Sequence, residues 1–251
     1  MCFTVNVNIV KEEMEERFQT PLLDRDDYRP SYYYHAFAYP RLPVITQEYP
    51  NEIRLLSWGL IPHWVKTPDQ ALDIRSKTHN ARSETLEEKP SFSGSLATRR
   101  CLVIARGFYE WQNRNGQKVP WYIHLKGDQP FAFAGLYDEW TAMDTGEKTQ
   151  SFSIITTAAN PLMAEIHNTK KRMPVMLSPE YEQEWLNSGM TSPSALFYQG
   201  VAEKEMEAYT ISPLISRHGV EKNNLMQKIK MLSLDQFFWY VNYDISWRNE
   251  S

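Results

Sequence analysis

Apolar and polar residues alternate along several stretches of the chain, and each such stretch predicts a strand. Phe3-Thr4-Val5-Asn6-Val7-Asn8-Ile9-Val10 changes character at nearly every step, and Glu52-Ile53-Arg54-Leu55-Leu56-Ser57-Trp58 reads as another strand. A period of two places successive side chains on opposite faces of a sheet. Cys101-Leu102-Val103-Ile104-Ala105 is instead an unbroken apolar run, the pattern of a buried strand, and it leads into Gly107-Phe108-Tyr109-Glu110-Trp111. Asn113-Arg114-Asn115-Gly116 is a hairpin signal, since Asn-Gly tolerates the left-handed backbone of a tight turn. Residues 121–125 and 131–137 read as two strands paired with each other, Asp144-Thr145-Gly146 as a turn, and residues 151–158 and 207–211 as further strands. Helices are expected at 11–18, from Asn160-Pro161 to about 166, and from Ser178-Pro179-Glu180 through 186, where proline occupies the first helical position. Residues 67–78 read as a polar loop or short helix, and 21–43 as irregular with a strand at 32–38. There is no internal repeat, low-complexity segment or linker. The fold class expected is α+β: a single domain over 1–251, mainly antiparallel and barrel-like, with peripheral helices. Its last part, 191–251, is expected to pack on the body as an extension, irregular or amphipathic at 223–229 and aromatic from Leu234 onward.

Composition narrows the possibilities. With 251 residues, 42% hydrophobic and 13% aromatic, the chain can bury a sizeable core. A net charge of −4 excludes a bulk polyanion binder, yet the charges are unevenly placed. Arg75, Lys77, Arg82, Lys89, Arg99, Arg100 and Arg106 cluster in one stretch, and Lys170, Lys171 and Arg172 form a second knot. A local basic groove on an acidic protein suits a short anionic ligand or a single nucleic-acid strand, although such runs are also common on plain solvated surfaces. The two cysteines imply no disulfide framework and a reducing, intracellular setting. Acidic residues at 12–16 interrupt any signal-peptide pattern, and no apolar run is long enough to span a membrane. No histidine pair has metal-helix spacing, and neither a CxxC nor a glycine-rich phosphate loop occurs, so no metal or cofactor is expected.

The candidate chemistry begins at the first residues. Removal of the initiator Met1 would leave Cys2 with an α-amine and a thiol on adjacent carbons. That amine, with a pKa near ~8, is partly neutral at pH 7 and can attack an aldehyde, after which the thiol closes a five-membered ring. A tolerated small residue at position 2 is the plainer reading. Asn80-Ala81-Arg82-Ser83-Glu84-Thr85 sets an amide, a guanidinium and a carboxylate close together. Glu110, enclosed in sequence by Phe108, Tyr109 and Trp111, is expected to lose water and gain a raised pKa, suited to proton transfer. His167, at a helix end before three cations, is expected to have a depressed pKa, unless it only caps helix carbonyls. Trp58 reads as core. Trp64, beside a Gly/Pro turn and Lys66, is the better candidate for stacking on a base.

In order, Cys2, Trp58-Gly59-Leu60-Ile61-Pro62, Asn80-Ala81-Arg82-Ser83-Glu84-Thr85, Gly107-Phe108-Tyr109-Glu110-Trp111, and His167 with Arg172-Met173-Pro174-Val175 resemble the SOS-response-associated peptidase family, also called abasic-site-processing proteins. The resemblance spans roughly residues 1 to 190. It implies binding of single-stranded DNA that carries an abasic site, and a thiazolidine DNA–protein crosslink formed by Cys2. It further implies that Asn80 positions Cys2 and the sugar, that Glu110 is the general acid and base, and that His167 assists opening of the deoxyribose. Arg82, Arg99, Arg100, Lys170, Lys171 and Arg172 are the expected DNA-backbone contacts, and Trp64 the expected wedge. A monomer is expected, in the cytoplasm and on the nucleoid when bound to DNA. An N-terminal-nucleophile amidase or peptidase, or a non-covalent single-strand binder, are the alternatives. Two departures stand out: relatives usually carry Gly-Arg where Phe3-Thr4 stand here, and the loop between His167 and Arg172 is longer.

Overall fold

The structure, a computed structural model, describes residues 2–187 and 201–216. Thirteen strands are described: β1 (Thr4–Val7), β2 (Ser31–His35), β3 (Arg41–Thr46), β4 (Ile53–Trp58), β5 (Asn80–Arg82), β6 (Arg100–Ala105), β7 (Gly107–Arg114), β8 (Gln117–Leu125), β9 (Phe131–Thr141), β10 (Lys148–Ala158), β11 (Arg172–Pro174), β12 (Met176–Leu177) and β13 (Met206–Thr210). Short helices lie between them: α1 (Lys11–Phe18), α2 (Pro68–Arg75), α3 (Ser93–Thr98), α4 (Pro161–Ile166) and α5 (Pro179–Leu186). The architecture is the α+β, mainly antiparallel barrel expected.

Five strands close on themselves. β10 pairs with β4, β4 with β3, β3 with β6, β6 with β9, and β9 returns to β10. All these pairings are antiparallel except β4–β10. Closure leaves no edge in the ring, so every strand finds backbone partners on both sides. Its interior is filled by side chains such as Val44, Leu56, Val103, Phe133 and Ile154, each at most 1% exposed. A second, antiparallel sheet runs β13-β8-β7-β1-β2. Phe108 of β7 meets Phe133 of β9 edge-on, with ring centroids 5.8 Å apart, and ties this sheet to the barrel.

Local signals set the helices. Asn160 caps α4 by accepting the Met163 N–H at 2.9 Å, and Pro161 follows it. A cap of this kind stabilises a helix by about 1 kcal/mol. α1 carries Glu12 and Glu13 in its first turn and Arg17 in its last, matching the helix dipole, and buries Met14 and Phe18. Gly59, after β4, has φ +104, and a Cβ there would meet Arg75 Cγ at 2.8 Å. Glycine alone makes this turn at low cost.

Three expectations need correction. Residues 121–125 and 131–137 do not pair with each other: β8 lies between β7 and β13 in the second sheet, whereas β9 belongs to the barrel. The pairing instead follows the Asn115-Gly116 turn, which joins β7 to β8 in continuous register from Arg114–Gln117 to Gly107–His124. The segment around Pro43, expected to be irregular, is the barrel strand β3. Pro43 faces Leu55 of β4, but pairing with β6 begins only at Val44, so its missing N–H breaks no bond on that side. The strand expected at 32–38 ends at His35 and turns into a 3₁₀ helix, Ala36–Ala38. Of the C-terminal extension, β13 pairs with β8, while the stretches at 223–229 and from Leu234 lie outside the described residues.

Candidate functional site

β7 carries Glu110 between the barrel and the second sheet. Along this strand Phe108, Glu110 and Gln112 share one face and Tyr109 and Trp111 the other. The contacts agree: Phe108 belongs to the main core, whereas Tyr109 packs with Tyr122 and Ile211, and Trp111 lies against that separate cluster. Two of the three aromatics beside Glu110 in sequence therefore turn away from it. Its aromatic neighbour across the sheet is Trp121, directly opposite in the β7–β8 register. Burial, with Glu110 only 5% exposed, raises its carboxyl from the usual carboxylate range to about 7.

His167 stands at the C-cap of α4, 5% exposed, with Nδ1 3.8 Å from Glu110 Oε1. Gln112 helps to hold that helix on the sheet by donating from Nε2 to the Glu165 carbonyl at 3.0 Å. Nδ1 of His167 lies 2.9 Å from the Arg172 carbonyl, which can only accept, so Nδ1 carries the proton and Nε2 is the basic nitrogen. The pKa is lowered, chiefly by burial, with Lys170 and Arg172 as lesser contributors, so the ring is neutral at pH 7.

Cys2 lies two residues before β1 and is fully buried, with Sγ 3.7 Å from the Thr4 carbonyl. Burial raises its thiol pKa, and the nearby Glu110 carboxylate raises it further. Asn80 donates from Nδ2 to the Cys2 carbonyl at 2.9 Å, while its buried Oδ1 has no hydrogen-bond partner among the described residues. Parallel pairing of β5 with β10 sets Asn80 opposite Ile154 and holds this amide in place.

Beyond Asn80 the surface opens into a cleft of about 540 Å³, lined by Phe3, Thr78, Asn80 and Phe92 together with the cations Lys77, Arg82 and Lys89. Trp64, 46% exposed, donates from its indole to the Pro90 carbonyl at 3.4 Å and so sits on the wall that includes Lys89 and Ser91.

The basic residues of the sequence disperse when folded. Arg82 is exposed on the cleft. Arg100, expected to contact DNA, is fully buried: its guanidinium donates to the carbonyls of Leu96, Ala97, Trp185 and Asn187, a structural role that leaves no access to a phosphate. Arg99 lies 3.4 Å from Asp138. Arg172 is 9% exposed, forks onto Glu84 and also bonds the Thr156 carbonyl, so an acid of this chain already holds it. Lys170 and Lys171 are exposed. Arg106 pairs with Glu13 and Asp128 away from the cleft. Sequence reasoning placed Lys77 and Lys89 in a basic cluster but did not single them out, and it missed Phe92 altogether. Among the described residues no group of three or more His, Cys, Asp or Glu could hold a metal, and no helix is long and apolar enough to cross a membrane.

A strand-ring core with a buried N-terminal cysteine, an asparagine, a glutamate and a histidine at its seam matches a known class. The family model described as "SOS response associated peptidase (SRAP)" matches residues 1–218, and this chain belongs to that family. Among its relatives, "Abasic site processing protein YoqW" of Bacillus subtilis is 41% identical over 234 residues, covering 92% of this chain and 99% of that protein. "Abasic site processing protein HMCES" of Xenopus tropicalis is 34% identical over 194 residues, covering 66% of this chain and 56% of that protein. A crystal structure of a protein from Bacteroides thetaiotaomicron superposes with a TM-score of 0.80 at 36% identity, covering 85% of this chain and 94% of that one.

Proposed function

We propose that this protein processes abasic sites in single-stranded DNA by forming a covalent link through Cys2 once Met1 has been removed. One observation carries the reading. Cys2, Glu110 and His167 converge in a dry seam, and the residues that adjoin Cys2, Phe3 and Asn80, line a cationic cleft. The names borne by the relatives point the same way.

Each group has a task in the chemistry. An abasic deoxyribose is a cyclic hemiacetal, and its ring must open to present an aldehyde. Opening needs a base at the anomeric hydroxyl and an acid at the ring oxygen. His167 Nε2, neutral and basic, accepts the hydroxyl proton, and Glu110, protonated in part at pH 7, supplies the other. The Cys2 amine then adds to the aldehyde carbon, whose oxygen takes the proton held by His167, while the nitrogen gives a proton to Glu110. Glu110 returns it to the departing hydroxyl, and loss of water gives an imine once the nitrogen's remaining proton is released. The Cys2 thiol adds across the C=N bond, its proton passes to nitrogen, and a thiazolidine results. The buried thiol need not be a thiolate at rest, because the amine makes the first bond. That favours ring formation over a thiolate-driven peptidase. Asn80 fixes Cys2 through its carbonyl and keeps Oδ1 as an acceptor for the amine or a sugar hydroxyl. Lys77, Arg82 and Lys89 bind the backbone by charge without reading sequence.

The test is a denaturing gel of the processed protein with abasic and with intact single-stranded oligonucleotides, its N-terminus checked by mass spectrometry. A heat-stable shifted band is expected with abasic DNA alone, and Cys2→Ala should abolish it. An equal yield from Cys2→Ala would overturn the mechanism.

A further inference from the structure

A row of rings runs along β2 beside the cleft. Tyr33 and His35 stack with centroids 6.3 Å apart and planes at 14°, His35 and Phe37 follow at 5.5 Å, and Phe37 then meets Phe3 at 5.2 Å and His79 at 4.6 Å. Phe37 ends the row and is 52% exposed. An apolar ring held in water gains little for the fold, yet this one is firmly mounted. The Ala36 N–H bonds the Phe3 carbonyl at 2.8 Å, and the Tyr39 N–H bonds the Ala36 carbonyl at 2.9 Å. Tyr39 stacks on His79 at 5.4 Å, and the Arg75 guanidinium lies 4.1 Å from the centre of the Tyr39 ring. A rigid mount under an exposed ring suits contact with a flat partner, because little side-chain freedom remains to be lost on binding.

Position identifies the partner. Phe3, packed under Phe37, is both the residue after Cys2 and a wall of the cleft that holds Lys77, Arg82 and Lys89. Trp64 stands against Pro90, between the lining residues Lys89 and Ser91. Two exposed rings thus adjoin a cationic trough, the combination that binds single strands by stacking bases while cations track the backbone. We propose that Phe37, backed by Phe3 and His35, is a second stacking platform, which receives the nucleobase next to the lesion on the flank opposite Trp64. This rests on the proposed action on single-stranded DNA.

The experiment measures binding and crosslinking of abasic single strands by the processed full-length protein. 2-Aminopurine is placed on one or the other side of the lesion, and Phe37→Ala and Phe37→Trp are compared with wild type. Phe37→Ala should bind about tenfold more weakly, with an unchanged slope of affinity against salt, because a stacking contact releases no counterions. Phe37→Trp should restore affinity. Aminopurine on one flank should be quenched by wild type and Phe37→Trp but not by Phe37→Ala. Thermal melts confirm that the alanine variant folds. If wild type crosslinks while Phe37→Ala matches it in affinity and quenching, the platform is overturned and the exposed ring belongs to a protein surface or a second copy. If wild type neither binds nor crosslinks abasic DNA, the broader reading has failed and the platform falls with it.

Discussion

The seam and the cleft lie side by side and obey opposite rules. In the seam Cys2, Glu110 and His167 are each at most 5% exposed, and loss of water sets their proton affinities. In the cleft Lys77 and Arg82 are exposed to solvent, which screens their charge. On the proposed function, reactivity belongs to the dry region and affinity to the wet one. Among the described residues, Asn80 both bonds Cys2 through its side chain and lines the cleft.

That division can be broken by mutation. The largest effect is expected from Glu110→Gln, which keeps the shape and removes the proton exchange. The single-turnover crosslinking rate should fall at least a hundredfold while affinity for intact single strands stays within about twofold. Wild type should show an inflection near pH 7 that the variant lacks. The same group has a stability signature. Its folded pKa lies above the ordinary value, so the folded state binds the extra proton, and stability is lost as pH rises from about 4.5 through 7. The shift corresponds to about 3 kcal/mol, an upper figure. Glu110→Gln should therefore gain on wild type in denaturant titrations at pH 8 and lose that advantage at pH 4.5. Asn80→Ala should come next. It removes the hold on Cys2 together with one cleft contact, so the rate should fall about tenfold and affinity two- to threefold. A variant that changed affinity alone would detach Asn80 from the chemistry. The smallest effect is expected from Arg82→Ala: affinity lower by about threefold at moderate salt, a salt slope reduced by about 1, and an unchanged rate at saturating DNA. A slowed saturated rate would show that the two regions are not separable.

Helices α1, α4 and α5 and most strands were legible in the sequence because their signals are local, whereas α3, in a serine-rich stretch that reads as a loop, was not. Pro161 after Asn160, and Pro179 after Ser178, mark helix starts whatever lies around them. What was not legible depended on partners far along the chain. The false pairing of 121–125 with 131–137 joined neighbours in sequence, whereas a ring of strands pairs 131–141 with 100–105 and with 148–158. Glu110 was expected to lose water to Phe108, Tyr109 and Trp111, but strand alternation turns the last two away, and Trp121, brought opposite by the hairpin, is its aromatic partner across the sheet. The direction of its pKa shift was right although the neighbours were not. For the cations, composition could mark a basic stretch but not which members face solvent. Arg82 and Arg100 look alike in sequence, and only the fold sends one to the cleft and the other to four carbonyls of the interior.

β10 is flanked by β5 on one side and β11 on the other. Thr156 lies opposite Arg82, and Ala158 opposite Arg172. Both arginines are thus hung from one rigid strand rather than from the connection that follows His167. Their backbones are about two sheet spacings apart across the sheet and two residues apart along it, roughly 12 Å in all. Residues 168–171, which join His167 to Arg172, are exposed and lie outside that gauge, so the spacing of the two arginines is set by the sheet and not by the length of this connection.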